Sequence, residues 1–146
     1  VSSDLEAPPA VTQRLGYLLK HAQLRLAELA EPEYEPLGVT GRQLALLALF
    51  GDGPGQSQQD GAARLGVDRT TMVALVDELE AKGLVRREVA PGDRRKRLVT
   101  LTAEGERVRE AGEAATRRAE ALLLAPLSAE GADGLRAALL RVVRAE

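Results

Sequence analysis

The segment Ser57-Gln58-Gln59-Asp60-Gly61-Ala62-Ala63-Arg64-Leu65-Gly66-Val67-Asp68-Arg69-Thr70-Thr71-Met72-Val73-Ala74-Leu75-Val76-Asp77-Glu78-Leu79-Glu80-Ala81-Lys82-Gly83 spells out two helices together with their start and stop signals. Ser57 and Asp60 make an S-x-x-D capping pattern, which opens a short helix to Leu65. Gly66 stands where a left-handed C-cap ends such a helix. Asp68 then caps a longer helix over residues 69–82, closed by Gly83. Met72, Leu75, Val76 and Leu79 recur at spacings of three and four, so they form its buried stripe. Two capped helices joined by a short glycine-containing turn predict a helix-turn-helix.

Outward from this pair, residues 84–89 and 97–102 read as strands. Ala90-Pro91-Gly92-Asp93 between them is turn chemistry, so the pair predicts a hairpin. Upstream, Thr40 and Gln43 make a T-x-x-Q capping box ahead of a helix over residues 41–50. Leu44, Leu46, Leu47, Leu49 and Phe50 make that helix apolar on most sides, which predicts burial. Residues 51–55 are a turn. A first helix is expected over residues 11–31, with Leu15, Leu18, Leu19, Ala22, Leu26 and Leu29 on one face and with Pro32 and Pro36 stopping it. After the hairpin, Thr102 caps a helix over residues 103–124, with Val108, Ala111, Ala115, Ala119 and Leu122 on one side. Pro126 breaks it, and Ser128 starts a last helix bearing Leu135, Leu139, Val142 and Val143. The predicted fold is mainly α (α+β), a winged helix-turn-helix at residues 37–102. Helical dimerisation regions flank it at residues 11–36 and 103–146, behind a loose tail at residues 1–10.

Composition narrows the chemistry. The 146 residues contain no cysteine and one histidine, His21, which excludes thiol chemistry and most metal sites. No general acid and base converge in the pattern, so no catalytic residue and no cofactor is expected. The first nine residues are polar and acidic and do not read as a signal peptide, and no run approaches ~18 apolar residues. A cytoplasmic protein without a membrane partner is the expectation. The net charge of −2 hides an uneven distribution. Residues 1–55 carry 4 basic and 7 acidic groups, whereas residues 56–102 carry 9 and 7. Within residues 84–97, Arg86, Arg87, Arg94, Arg95, Lys96 and Arg97 face only Glu88 and Asp93. Such a cluster is either a phosphate footprint or a solvated strand and turn.

The segment from Val67 to Val85 resembles the recognition-helix region of the MarR (multiple antibiotic resistance regulator) family. Asp93-Arg94-Arg95, followed by Val99-Thr100-Leu101-Thr102 and Gly105, resembles that family's wing signature, D-x-R and then L-x-L-T-x-x-G. The likeness runs from about Leu15 to Val143. It implies a homodimeric bacterial transcription regulator, usually a repressor, that binds a pseudo-palindromic operator in double-stranded DNA. It also implies release by a small, often phenolic or anionic, ligand. Three positions depart from the family's pattern. Val73 and Ala74 replace a frequent Thr-Arg pair, Gly61 stands where leucine is usual, and Gly131 stands where an acidic residue is common. Gly61 predicts a marginal helix, because glycine costs about 1 kcal/mol relative to alanine inside one.

On this reading the start of the 69–82 helix enters the major groove. Arg69 and Thr70 reach base edges or phosphate, while Thr71, Val73 and Ala74 complete the face, with apolar contact to thymine methyls. Without the family's arginine at position 74, readout shifts toward groove shape. Val73 and Ala74 packing against a neighbouring helix is the alternative. Arg94 or Arg95 suits the adjacent minor groove, beside Lys96, and Asp93 is expected to pair with a wing arginine. Arg86, Arg87 and Arg97 face phosphate or solvent. Ser57, Gln58 and Gln59 begin a helix and could donate to phosphates, although capping alone also explains Ser57.

Arg14, Tyr17 and His21 stand at i, i+3 and i+7 on one helix face. A guanidinium, a phenol and an imidazole suit an aromatic carboxylate or phenolate effector. Alternatively, Arg14 makes an intersubunit salt bridge and His21 simply packs. The competing function is a helical protein-interaction or effector-sequestering module without sequence-specific DNA binding.

Overall fold

The computed structural model describes residues 7–145. Its elements are α1 (Pro9–Thr12), α2 (Leu15–Tyr34), a 3-10 turn (Glu35–Leu37), α3 (Gly41–Phe50), β1 (Gln56–Ser57), α4 (Gln58–Leu65), α5 (Arg69–Ala81), β2 (Val85–Ala90), β3 (Asp93–Leu101), α6 (Ala103–Leu124) and α7 (Ala129–Arg144). They form two compact units, residues 31–116 and residues 1–30 with 117–146.

The 31–116 unit is the winged helix-turn-helix. Its caps are those the sequence encodes. Thr40 Oγ1 accepts from the Gln43 N–H while Gln43 returns the bond. Ser57 accepts from the Asp60 N–H and Asp68 from the Thr71 N–H. Gly66 adopts φ +63 and ends α4. Leu44, Leu46, Leu47 and Phe50 of α3 pack with Met72, Val76 and Leu79 of α5, and Leu84, Val85 and Val99 of the wing close the core. Val108 of α6 belongs to the same core.

Three features differ from the sequence expectation. The sheet has three strands in the order β1-β3-β2, not two. β1 supplies only Gln56 and Ser57, opposite Val99 and Leu98, too short a piece to show alternation. The first helix does not stop at Pro32, because α2 continues to Tyr34. Proline in the last turn removes a single helical N–H partner. Beyond it the Tyr34 hydroxyl lies 2.8 Å from Thr116 Oγ1, and Gly38 at φ +68 ends the 3-10 turn. Finally, the tail expected over residues 1–10 is in part helical, since Pro9 opens α1; residues 1–6 lie outside the described residues.

Gly61 is buried, and α4 forms around it. A Cβ there would sit 3.1 Å from two Phe50 ring carbons and 3.3 Å from a Leu49 methyl. The Phe50 ring fills the space that a side chain at 61 would need. Gly105 permits another close approach, since a Cβ would overlap the Leu84 carbonyl. That contact joins the start of α6 to the root of the wing. Thr102 completes the joint, donating its hydroxyl to Gly83 O at 2.6 Å and its N–H to Leu84 O at 3.1 Å.

In the other unit, Arg136 of α7 donates to Glu120 of α6 at 2.7 Å. Ala119 is buried, as expected, but Leu122 is exposed. Leu15, Leu18 and Leu19 of α2 and Leu135, Leu139, Leu140, Val142 and Val143 of α7 are also exposed. Their apolar stripes are therefore not covered by the described residues. Among the described residues, no helix is long and apolar enough to cross a membrane.

Candidate nucleic-acid interface

The head of α4, the first residue of α5 and the wing surround an open concave surface of about 540 Å³. Ser57, Gln58, Gln59 and Asp60 line one side, and Asp93, Arg95, Lys96 and Arg97 the other, with Arg69 between. The wing reaches this surface because of its irregular register. Val89 pairs with Arg97 and Ala90 with Asp93, so Arg94, Arg95 and Lys96 bulge out of the ladder. The Pro91-Gly92 turn sets the bulge, with Gly92 at the φ of +80 that a type II turn requires at its third position.

Arg69 and Thr70 are exposed at the start of α5, and Ala74 is exposed one turn on. Val73 is half-buried, so only part of it is available to a ligand. Thr71 is also half-buried, and its hydroxyl donates to Asp68 Oδ2 at 2.7 Å. Among the described residues, Arg69, Arg94, Arg95 and Arg97 make no ion pair. Lys96 lies 3.8 Å from Asp60, and Arg86 donates to Glu88 at 2.6 Å.

Asp93 does not pair with a wing guanidinium as expected. Its carboxylate accepts the Arg95 backbone N–H at 2.9 Å. A short side chain at the end of a tight turn reaches the backbone two residues on more readily than a long, solvated arginine head. Asp93 thus shapes the turn that displays the arginines. Arg87 is not on open surface either. Its guanidinium donates to Gln58 at 2.6 Å, Asp77 at 2.6 Å and Glu80 at 3.0 Å. Strand alternation was the available clue, since Arg87 shares its side of β2 with buried Val85. Ser57 acts as the N-cap of α4 and also lines the concave surface.

In the other unit, the Tyr17 and His21 rings stack with centroids 3.9 Å apart and planes at 25°. Both are half-buried. Arg14 is exposed just before α2, and its carbonyl accepts from the Leu18 N–H. Among the described residues no cluster of three metal-ligating side chains forms.

Residues 37–96 match the family model described as MarR family. Over 137 residues the chain is 31% identical to the transcriptional repressor NicR of Pseudomonas putida, covering 94% of this chain and 84% of that protein. The chain belongs to the MarR family. This MarR-family chain is also 34% identical to a regulatory protein for the hcr operon of Thauera aromatica, over 62% of its own length but only about half (55%) of that protein's. Its backbone is similar to that of the transcriptional repressor CouR bound to a 23-mer DNA duplex, with a TM-score of 0.87, 33% identity, and coverage of 95% of this chain and 99% of that one. CouR bound to p-coumaroyl-CoA is similar at a TM-score of 0.84 and 30% identity, covering 97% of this chain and 99% of that one.

Proposed function

We propose that this MarR-family protein is a homodimeric transcriptional repressor that binds a pseudo-palindromic operator and leaves it when a small phenolic or aromatic acid ligand binds. The concave surface between α4, Arg69 and the wing carries the reading. It sets the unpaired guanidinium groups of Arg69, Arg95 and Arg97 beside helix-end donors, which is the arrangement that phosphate contacts demand. Arg94 stands next to them on the bulged wing tip. Ser57, Gln58, Lys96 and Arg86 supply further contacts, the last two after exchanging their carboxylate partners for phosphate. Thr70, Val73 and Ala74 supply the apolar part of base reading, and Thr71 steadies the first turn through Asp68. Likeness to a repressor bound to a DNA duplex supports the reading.

Dimerisation is supported by the exposed leucines and valines of α2 and α7. Burying one such side chain is worth about 1.5–3 kcal/mol, and a second copy of the chain would cover them together. The two-fold axis then places half-sites about 34 Å apart. The effector site is proposed at the Tyr17–His21 stack with Arg14, a flat aromatic pair beside an unpaired cation. A relative bound to p-coumaroyl-CoA, an aromatic acid thioester, supports that ligand class.

Titration of the duplex flanking the protein's own gene at several salt concentrations tests the DNA reading. If Arg69, Arg94, Arg95 and Arg97 each touch one phosphate in both protomers, log affinity falls against log salt with a slope of roughly −7. A flat curve would favour a protein-interaction module instead. Repeating the titration with aromatic acids and their thioesters tests the effector, and Arg14→Ala should weaken both ligand affinity and ligand-driven release.

A further inference from the structure

Arg87 is the most heavily bonded side chain on the DNA-facing side of the winged unit. It projects from β2 yet makes all its side-chain bonds to two helices. Nε donates to Gln58 Oε1 at 2.6 Å, Nη2 to Asp77 Oδ1 at 2.6 Å and Nη1 to Glu80 Oε1 at 3.0 Å. Gln58 is the first residue of α4, whereas Asp77 and Glu80 lie one turn apart on α5. The Arg87 side chain is only 21% exposed, against 61% for Asp77 and 45% for Glu80. Two carboxylates around one guanidinium leave the group net negative, so Arg87 is poorly placed to neutralise a phosphate. A planar fork with five N–H donors can serve three acceptors at once, and a lysine ammonium on a flexible stem cannot reproduce that geometry.

We infer that Arg87 is a positioning residue for DNA reading. It locks α5 against the head of α4 and the wing, and it sets the orientation of the Gln58 amide. With Oε1 held by Arg87, the Gln58 NH2 group is left to donate toward the concave surface. The helix carrying Arg69, Thr70 and Ala74 is held at one angle to that donor. The inference rests on the DNA-binding reading above.

The test compares wild-type protein with Arg87→Ala, Arg87→Lys and Glu80→Ala. The probes are a duplex selected by the wild type from a randomised pool and an unselected random duplex. Three quantities are measured: the ratio of the two dissociation constants, the slope of log affinity against log salt, and the melting temperature. Arg87→Ala and Arg87→Lys should each lower the ratio at least about tenfold, with the salt slope on random DNA within about 0.5 of wild type. Glu80→Ala removes one exposed acceptor without threatening the fold, and should lower the ratio in the same direction. A wild-type ratio in Arg87→Lys, or a slope shallower by about 0.9 in Arg87→Ala with its ratio intact, would identify a phosphate contact and overturn the inference. An unchanged ratio in Glu80→Ala would overturn it even if Arg87→Ala fails to fold. Absence of any duplex preference in the wild type would remove the DNA-binding reading itself, and the inference with it.

Discussion

A side chain at position 61 would have to share space with the Phe50 ring, and the chain resolves the conflict by having none. Gly61→Leu should therefore destabilise the protein by about 1–3 kcal/mol through overpacking, measured by urea denaturation. Adding Phe50→Leu to the same chain should recover part of the loss, whereas independent, additive penalties would show that the two positions do not compete. Asp68 offers a different kind of test. The Thr71 backbone N–H, then the Thr71 hydroxyl, hold its carboxyl below the ordinary value of 3.8. A lowered folded-state value means the cap's contribution is complete above the ordinary value and fades as pH falls through the lower one. Asp68→Ala should lower the melting temperature at neutral pH and do so progressively less in strong acid. An equal penalty in both conditions would contradict this. At this scale the caps were legible, because Ser57, Thr40 and Asp68 bond within three residues of themselves. The bonds of Arg87 were not, because its acceptors come from two other elements and no local spacing reveals them.

The elements divide in the same manner. α6 follows its expected bounds because its cap and its proline stop are both local. α2 overruns Pro32 because tertiary contact after the proline outweighs one lost hydrogen bond. β1 was illegible because two residues have no period, yet it decides where Ser57 stands. The wing adds a prediction of its own. Lys96 is drawn toward Asp60 at 3.8 Å, both exposed, so this pair is weak and exchangeable. Asp60→Asn should release Lys96 for phosphate, raise affinity for random duplex and steepen the salt slope by up to about 0.9. A slope unchanged from wild type would mean that Lys96 never reaches DNA. The basic cluster was visible in the sequence. Its partition into free, paired and clamped cations was not, since that depends on which carboxylates the fold brings near.

For the whole molecule, the terminal helices were legible as amphipathic, but the sequence could not say what their apolar sides meet. The described residues leave Leu135, Leu139 and Leu140 exposed along α7. If a second copy covers them, Leu139→Glu should shift the protein to monomer in sedimentation. It should also weaken operator binding far more than binding to a single half-site. A dimer that withstands this change would move the interface elsewhere.

The joint at Gly105 has a dynamic consequence. Thr102 and Gly105 lie outside the hairpin, yet their backbone rests on Gly83 and Leu84. The root of the wing cannot separate from the first turn of α6 without breaking both the Thr102 hydroxyl bond and the Thr102 amide bond. These two pieces then open as one cooperative unit, with one free energy of opening. The amide proton of Thr102, which donates to the Leu84 carbonyl, becomes a reporter in the helix for motion in the strands. Its rate of exchange with deuterated solvent should match those of the inner β2 and β3 amides, and slow with them when DNA holds the wing.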